Sequence, residues 1–289
     1  MTVPRSPLAE LLSVLELERI EDTIFRGTSM DLGFGNIFGG QVLGQSLSAA
    51  IRTVPADRHV HSLHGYFMRP GDPARPIIYQ VDCIRDGKSF TTRRVVAIQK
   101  GDAIFSMAAS FQVAEQGFEH QDIMPDIPGP EGYASEYELV NRFIDRIPEP
   151  IRANLTAERP IEIRPIDPMN PFAPEKKPAH RFSWFRASER LPDDPMVHRY
   201  LLAYASDFGL IQTSMNPHGH TFFEPSMHVA SLDHALWFQR DFRMDEWLLY
   251  AMHSPTAAGA RGLNFGHIYD TQGRLVASIA QEGLIRFRG

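Results

Sequence analysis

Three polar side chains sit where the surrounding sequence is apolar. In YLLAYASDFGLIQ (200–212) almost every residue is apolar or small except Asp207, placed near the middle of what reads as a buried helix. Burying a lone carboxylate costs several kcal/mol unless it is hydrogen-bonded or its pKa rises. Asp207 therefore either makes a structural hydrogen bond, to a neighbouring loop or at a helix end near Gly209, or handles a proton. In RLVASIAQEGLIRF (274–287) a period of two puts Gln281 on the more apolar face with Leu275, Ala277, Ile279, Gly283 and Ile285. A carboxamide there needs partners for both its carbonyl and its amide, and a second misfit such as Asp207 would explain both. The third candidate is the hydroxyl of Ser231 in MHVASLDHALWFQR (227–240), a run that also supplies Asp233 and His234. Alone it is a weak signal, since a serine on a strand is structural far more often than catalytic.

These residues belong to the second copy of an internal repeat. Tyr79 aligns with Tyr250 and Phe67 with Phe238 at an offset of 171, and Gly101 with Gly273 and Ser106 with Ser278 at 172. Two copies are too few for a solenoid and imply two like domains packed together. At the position of Gln281 the first copy has Ala109, so the first domain cannot host the same site in the same form.

Each copy reads as a buried helix followed by an antiparallel meander, an α+β unit in which the sheet wraps the helix. Leucines at 8, 11, 12, 15 and 17 predict a packing helix at the start, and GGQVLGQSLSAAIRT (39–53) a more buried one. Strands follow over 59–68, 76–85, 89–99 and 103–113, with turns at Asp86-Gly87 and Lys100-Gly101-Asp102. Between 119 and 178 the pattern fails and eleven of the 22 prolines occur. This predicts an extended surface connector with a short helix at YELVNRFIDRI. The unit then recurs as a strand over 181–188, a helix over 198–213, and strands over 226–240, 246–254, 257–269 and 274–286. The domains are accordingly 1–118, the connector 119–178, and 179–289.

With 43% hydrophobic and 22% charged residues the chain is that of an ordinary globular protein, and a net charge of −6 argues against a nucleic-acid partner. No apolar run approaches the length of a membrane span, the N-terminus lacks a signal-peptide core, and IRFRG at the C-terminus is not a peroxisomal address. A cytoplasmic location is expected. The single cysteine, Cys83, lies in an apolar strand and reads as a small core residue. Competing motifs fall away. DGKS at 86–89 lacks the first glycine of a phosphate-binding loop, where Asp82 stands, and no G-x-S-x-G is present. His59, His61 and His64, like His218 and His220, have no further ligands at a recognised metal spacing, so neither metal nor cofactor is expected.

The segments FGGQVLGQ, HSLHGYFMRPGD, RDGKSF and AASFQ in the first half, then SLDHALWF, EWLLY, ARG and ASIAQEG in the second, resemble the acyl-CoA thioesterase II family, the double hot-dog thioesterases. The resemblance runs over nearly the whole chain. It implies two tandem hot-dog domains, each a helix wrapped by an antiparallel sheet, and hydrolysis of an acyl-CoA to free acid and coenzyme A. By position it implies a catalytic group of Asp207, Ser231 and Gln281, with Ser where the family also uses Thr, holding a water for direct attack. It further implies oxyanion donors from backbone N–H groups near the helix or from the Gln281 amide, and a homo-oligomer. Arg69, Arg85, Lys88, Arg93 and Arg94 form a basic cluster that either meets the coenzyme A phosphates or lines solvated strand edges. Two alternatives stay open. One is a hot-dog enoyl-CoA hydratase, suggested by Asn216-Pro217-His218 although Ser214 stands where its pattern wants Asp. The other is an acyl-CoA binding module without turnover.

Overall fold

The computed structural model describes residues 5–30, 32–33, 35–147 and 149–288. Its first half runs α1 (Pro7–Leu15), β1 (Glu18–Glu21), β2 (Ile24–Gly27), α2 (Gly39–Ile51), β3 (His59–Phe67), β4 (Ile77–Asp86), β5 (Phe90–Gln99) and β6 (Asp102–Gln112). Next come α3 (Glu136–Asn141), α4 (Glu149–Leu155) and β7 (Ile161–Ile166). The second half continues with β8 (His180–Ala187), α5 (Pro195–Ala205), α6 (Gln212–Met215), β9 (Met227–Ser231), β10 (Asp233–Phe238), β11 (Leu248–Ala258), β12 (Arg261–Asp270) and β13 (Leu275–Phe287).

The strands form one antiparallel sheet in the order β1-β2-β4-β5-β6-β3-β10-β13-β12-β11-β8-β7, with β9 also paired to β13. The order is a palindrome about the β3–β10 pair, where Leu63 faces Leu236 and Tyr66 faces Asp233. Each half thus contributes a sheet that curls over its own helix, and the two are joined edge to edge, leaving neither central strand unpaired. The repeat inferred from sequence has a structural cause for its drift. Lys100 (φ 55°) and Gly101 (φ 84°) make a two-residue turn between β5 and β6, of the kind whose twist matches a hairpin. Between β12 and β13, counted from the Asp270 N–H to Arg274 carbonyl bond of 3.0 Å, the turn is one residue longer, ending at Gly273 (φ 77°), with Asp270 Oδ1 accepting from the backbone N–H of Gln272 at 3.0 Å and of Arg274 at 2.9 Å. The offset changes from 171 to 172 at that inserted residue.

Helices α2 and α5 lie back to back inside the two sheets. Small residues set their separation: a Cβ on Gly40 would lie 2.2 Å from the carbonyl oxygen of Tyr204, and one on Gly44 3.0 Å from that of Tyr200. The equivalent tyrosines serve their own helices. Tyr79 Oη donates to the buried Gln45 Oε1 at 2.6 Å, and Tyr250 Oη donates to the Ser206 carbonyl at 2.8 Å. Leu43, Leu47, Leu201 and Leu202 are fully buried between helices and sheets, each worth about 1.5–3 kcal/mol relative to exposure.

Several expectations need correction. The helix expected over 198–213 stops at Ala205 and resumes only as the single turn α6, because Ser206 Oγ bonds the Ala203 carbonyl and Gly209 (φ 74°) turns the chain. Asp207 is therefore in the turn after the helix. The strand expected over 226–240 breaks at Leu232 into β9 and β10. The connector carries more than one short helix: α4 forms, and β7 pairs with β8 to complete the second sheet. Strands β1 and β2 do the same for the first sheet and gave no clear alternation in sequence. Cys83 is exposed, at a point where the β4–β5 ladder bulges. Among the described residues no helix is long and apolar enough to cross a membrane.

The α2–α5 contact leaves no room for a methyl group at its tightest point. Gly40→Ala is expected to lower the unfolding free energy by about 1–3 kcal/mol, the scale of overpacking a close contact. A denaturant melt that matches the wild type would show that the helices separate at no cost.

Candidate active site

Asp207 comes to its position because α5 ends at Ala205, about two turns short of where its sequence would carry it. Its carboxylate crosses to the first half and meets the start of α2, whose own N-cap, Phe38, supplies no side-chain hydrogen bond. The Gly40 backbone N–H donates to it. Asp207 thereby takes the place of the missing cap, at the helix end where the macrodipole favours negative charge. Gly39 makes this approach possible, since a Cβ there would lie 2.8 Å from Asp207 Oδ2 and 3.1 Å from the Phe67 ring. Phe38 stacks on Phe208 with ring centroids 4.5 Å apart, closing the apolar wall beside the carboxylate.

Gln281 reaches the same point from β13. Its Nε2 donates to Asp207 Oδ1 at 2.6 Å and also lies 3.1 Å from His234 Nδ1 and 3.3 Å from Ser231 Oγ. Its Oε1 is buried without a hydrogen-bond partner. Ser231 ends β9 opposite Gly283, and its Oγ donates to Asp207 Oδ1 across a long 3.5 Å. The break at Leu232 aims it there. At that step Asp233 Oδ1 accepts from the Glu282 backbone N–H at 2.7 Å, while β10 continues alongside β13. His234 is fully buried, and its Nε2 lies 2.9 Å from Ser206 Oγ.

Burial dominates the electrostatics. The Asp207 side chain is 5% exposed. Desolvation pushes its carboxyl pKa above the ordinary range, opposed by the hydrogen bonds from Gln281, Gly40 and Ser231. The same desolvation drives the His234 pKa down to about 3, so the ring is neutral at any working pH. The arrangement is a carboxylate of raised basicity beside an unsatisfied carbonyl and a hydroxyl, in an apolar wall. Such a group can orient a water and accept its proton.

Two family models match the chain: "Acyl-CoA thioesterase N-terminal domain" over residues 28–112 and "Acyl-CoA thioesterase" over 151–284. The acyl-CoA thioesterase 2 of Haemophilus influenzae is 46% identical, over 97% of this chain and 98% of its own. The chain belongs to the acyl-CoA thioesterase family. The crystal structure of an acyl-CoA thioesterase II from Mycobacterium marinum is 42% identical, with a TM-score of 0.77 over 96% of this chain and 98% of the other. A hot-dog protein of unknown function from Alicyclobacillus acidocaldarius, 17% identical, matches with a TM-score of 0.76 over 96% of this chain and 98% of its own, and speaks to the fold alone. The fold is the double hot-dog, and the reaction class is hydrolysis of acyl-CoA thioesters.

The thioesterase fold brings all three sequence candidates, Asp207, Ser231 and Gln281, into one cluster. Ser206 was not singled out from sequence, while Gly39 and Gly40 were read only through close packing and His234 only as a neighbour of Ser231. For His234 a signal existed, because its parity along β10 matches Leu236 and Phe238, and a histidine on that apolar face is a misfit of the same kind as Gln281. Three members of the basic cluster have partners of their own. Arg93 is buried and bound to Thr53 and Asp86, Arg94 pairs with Asp82 at 2.6 Å, and Arg69 bonds the Ala103 carbonyl at 2.7 Å. Asn216, the residue that suggested a hydratase, is buried in a short 3-10 turn with its Oδ1 accepting from Gln212 Nε2 at 3.3 Å. Among the described residues no cluster suited to a metal ion occurs.

Gly39→Ala should separate the carboxylate from the helix start without touching any reactive group. Turnover of an acyl-CoA is expected to fall about 10²-fold, the cost of misplacing a catalytic group by roughly 1 Å. Unchanged turnover would show that the placement of Asp207 at the helix start is not needed for the reaction.

Proposed function

We propose that Asp207, Ser231 and Gln281 hydrolyse fatty acyl-CoA by direct attack of a water, with no covalent acyl-enzyme. The observation that carries this reading is the unpartnered, buried Gln281 Oε1 beside the raised-pKa Asp207 carboxylate. The amide nitrogen of Gln281 has two hydrogens, and its two shortest contacts, to Asp207 and His234, account for both. Its carbonyl is then free to accept one O–H of a water while Asp207 accepts the other. A water held through both hydrogens presents its lone pairs outward, toward a thioester carbonyl. Ser231 Oγ steadies the carboxylate and the water.

In the reaction the water oxygen bonds the thioester carbon and its proton passes to Asp207. The C–S bond then breaks, and the proton returns to the departing thiolate, releasing acid and coenzyme A. The developing oxyanion cannot use the Gln281 amide, whose hydrogens are committed. That leaves backbone N–H groups near the start of α2 other than that of Gly40, which Asp207 takes.

The same reading assigns residues 1–118 and 179–289 to the two hot-dog domains and 119–178 to the segment between them, from which β7 joins the second sheet, and it gives the enzyme a cytoplasmic location. It includes a homo-oligomer. Tyr66, Met68, Phe90 and Trp237 are exposed large apolar side chains, and Tyr66 and Trp237 belong to the paired central strands β3 and β10. This is the surface through which a second copy would associate.

Asp207→Asn is expected to lower kcat by about 10²- to 10⁴-fold, the contribution of a general base, with the fold intact by thermal melt. Release of free coenzyme A thiol is the assay. In the wild type the acid limb of kcat/KM should lie above the ordinary carboxylate range, activity rising with pH as Asp207 loses its proton. A limb at the ordinary value, or an active Asn variant, removes Asp207 from the chemistry.

A further inference from the structure

We propose that His234 is a positioning residue that fixes which way the Gln281 carboxamide faces, through a proton order locked by Ser206. This rests on the reading that Gln281 presents its carbonyl to the water. The order follows from the chain of contacts. A carbonyl can only accept, so Ser206 Oγ donates its one hydrogen to Ala203 O at 3.0 Å. Toward His234 the hydroxyl is then an acceptor, and the ring nitrogen 2.9 Å away, Nε2, must carry the proton. A buried neutral imidazole has a single N–H, so Nδ1 is bare and accepts from Gln281 Nε2 at 3.1 Å.

Neither alternative orientation is consistent. With the proton on Nδ1, two donors would face each other across 3.1 Å. If the carboxamide turned over to relieve this, its Oε1 would face the Asp207 carboxylate across 2.6 Å, acceptor against acceptor. With Asp207 ionised, only one arrangement gives every donor an acceptor. It sends both amide hydrogens inward, to Asp207 and His234, and leaves Oε1 as the free atom. Burial of the ring supports this, since its depressed pKa keeps it from gaining a second proton.

The repeat provides a control. At the position equivalent to His234 (offset 171) the first half has Leu63, fully buried and paired with Ala109, the equivalent of Gln281. The fold itself therefore accepts leucine and alanine at these positions. The polar pair occurs only in the half that carries Asp207, where a carboxamide must be aimed.

The test compares His234→Leu, which copies Leu63 of the first half, with His234→Asn, whose Oδ1 can accept from Gln281 in place of Nδ1. The Leu variant is expected to lose about 10- to 100-fold in kcat with KM within about twofold and the melting temperature not reduced. The Asn variant should recover most of kcat. Ser206→Ala, a smaller change, removes the acceptor that holds the proton on Nε2 and should lower kcat in the same direction with KM unmoved. Nitrogen-15 NMR of the wild-type imidazole should show Nε2 protonated and Nδ1 bare. Wild-type kcat in the Leu or Ala variant, equal impairment of Leu and Asn, or a protonated Nδ1 overturns the proposal. Gln281→Leu, run in parallel, separates the two levels. If it keeps full turnover, the assignment of Gln281 fails. If it collapses while His234→Leu does not, only the role of His234 fails.

Discussion

A carboxylate from one half of the molecule caps the central helix of the other, and the rest of the site is arranged around that contact. Asp207 lies past the end of α5 and is bonded by the Gly40 N–H at the start of α2. This is possible only where the two helices touch along their backbones, which Gly39, Gly40 and Gly44 permit. The edge-to-edge joining of the sheets at β3 and β10 brings Ser231, His234 and Gln281 to the same seam. The site is a property of the paired domains, since neither half contains both the carboxylate and the helix start it meets.

Duplication explains the economy of this design. Two copies of one unit give a symmetric scaffold, but a catalytic cluster needs buried polar groups that each cost stability unless fully partnered. The first half has apolar residues at the equivalent strand positions, Leu63 and Ala109, and packs them as ordinary core. The second has His234 and Gln281 there and partners them through Ser206 and Asp207, leaving Gln281 Oε1 open. The first half packs these positions as structure, while its helix start meets the carboxylate of the other.

The sequence disclosed the features that depend on local pattern. Alternation along 275–285 placed Gln281 on the core face, and the repeat offset, drift included, mapped onto the extra residue of the β12–β13 turn. What it concealed depended on contacts between distant segments. The turn at Gly209 outcompeted the helical pattern of 198–213 through Ser206 and a positive φ, so the true environment of Asp207 was the start of α2. Strands β1, β2 and β7 are edge elements held by pairing to β4 and β8, and their own residues carry little periodic signal. Cys83 read as core because its neighbours are apolar, while the bulge beside it left it on the surface.

The same burial that raises the basicity of Asp207 works against the folded state. Its folded pKa is raised, so the folded protein holds that proton more tightly than the unfolded chain does. The group therefore contributes stability below the ordinary carboxyl pKa, and that contribution is lost as pH rises through the folded value. At neutral pH the ionised carboxylate is retained at a cost, reduced by Gln281, Gly40 and Ser231 without being cancelled. A tighter set of donors would remove the cost and with it the basicity, because each hydrogen bond that stabilises the charged form lowers the pKa. The long 3.5 Å contact from Ser231 leaves the carboxylate short of full satisfaction. In the proposed reaction, a water that donates to it supplies the missing hydrogen bond.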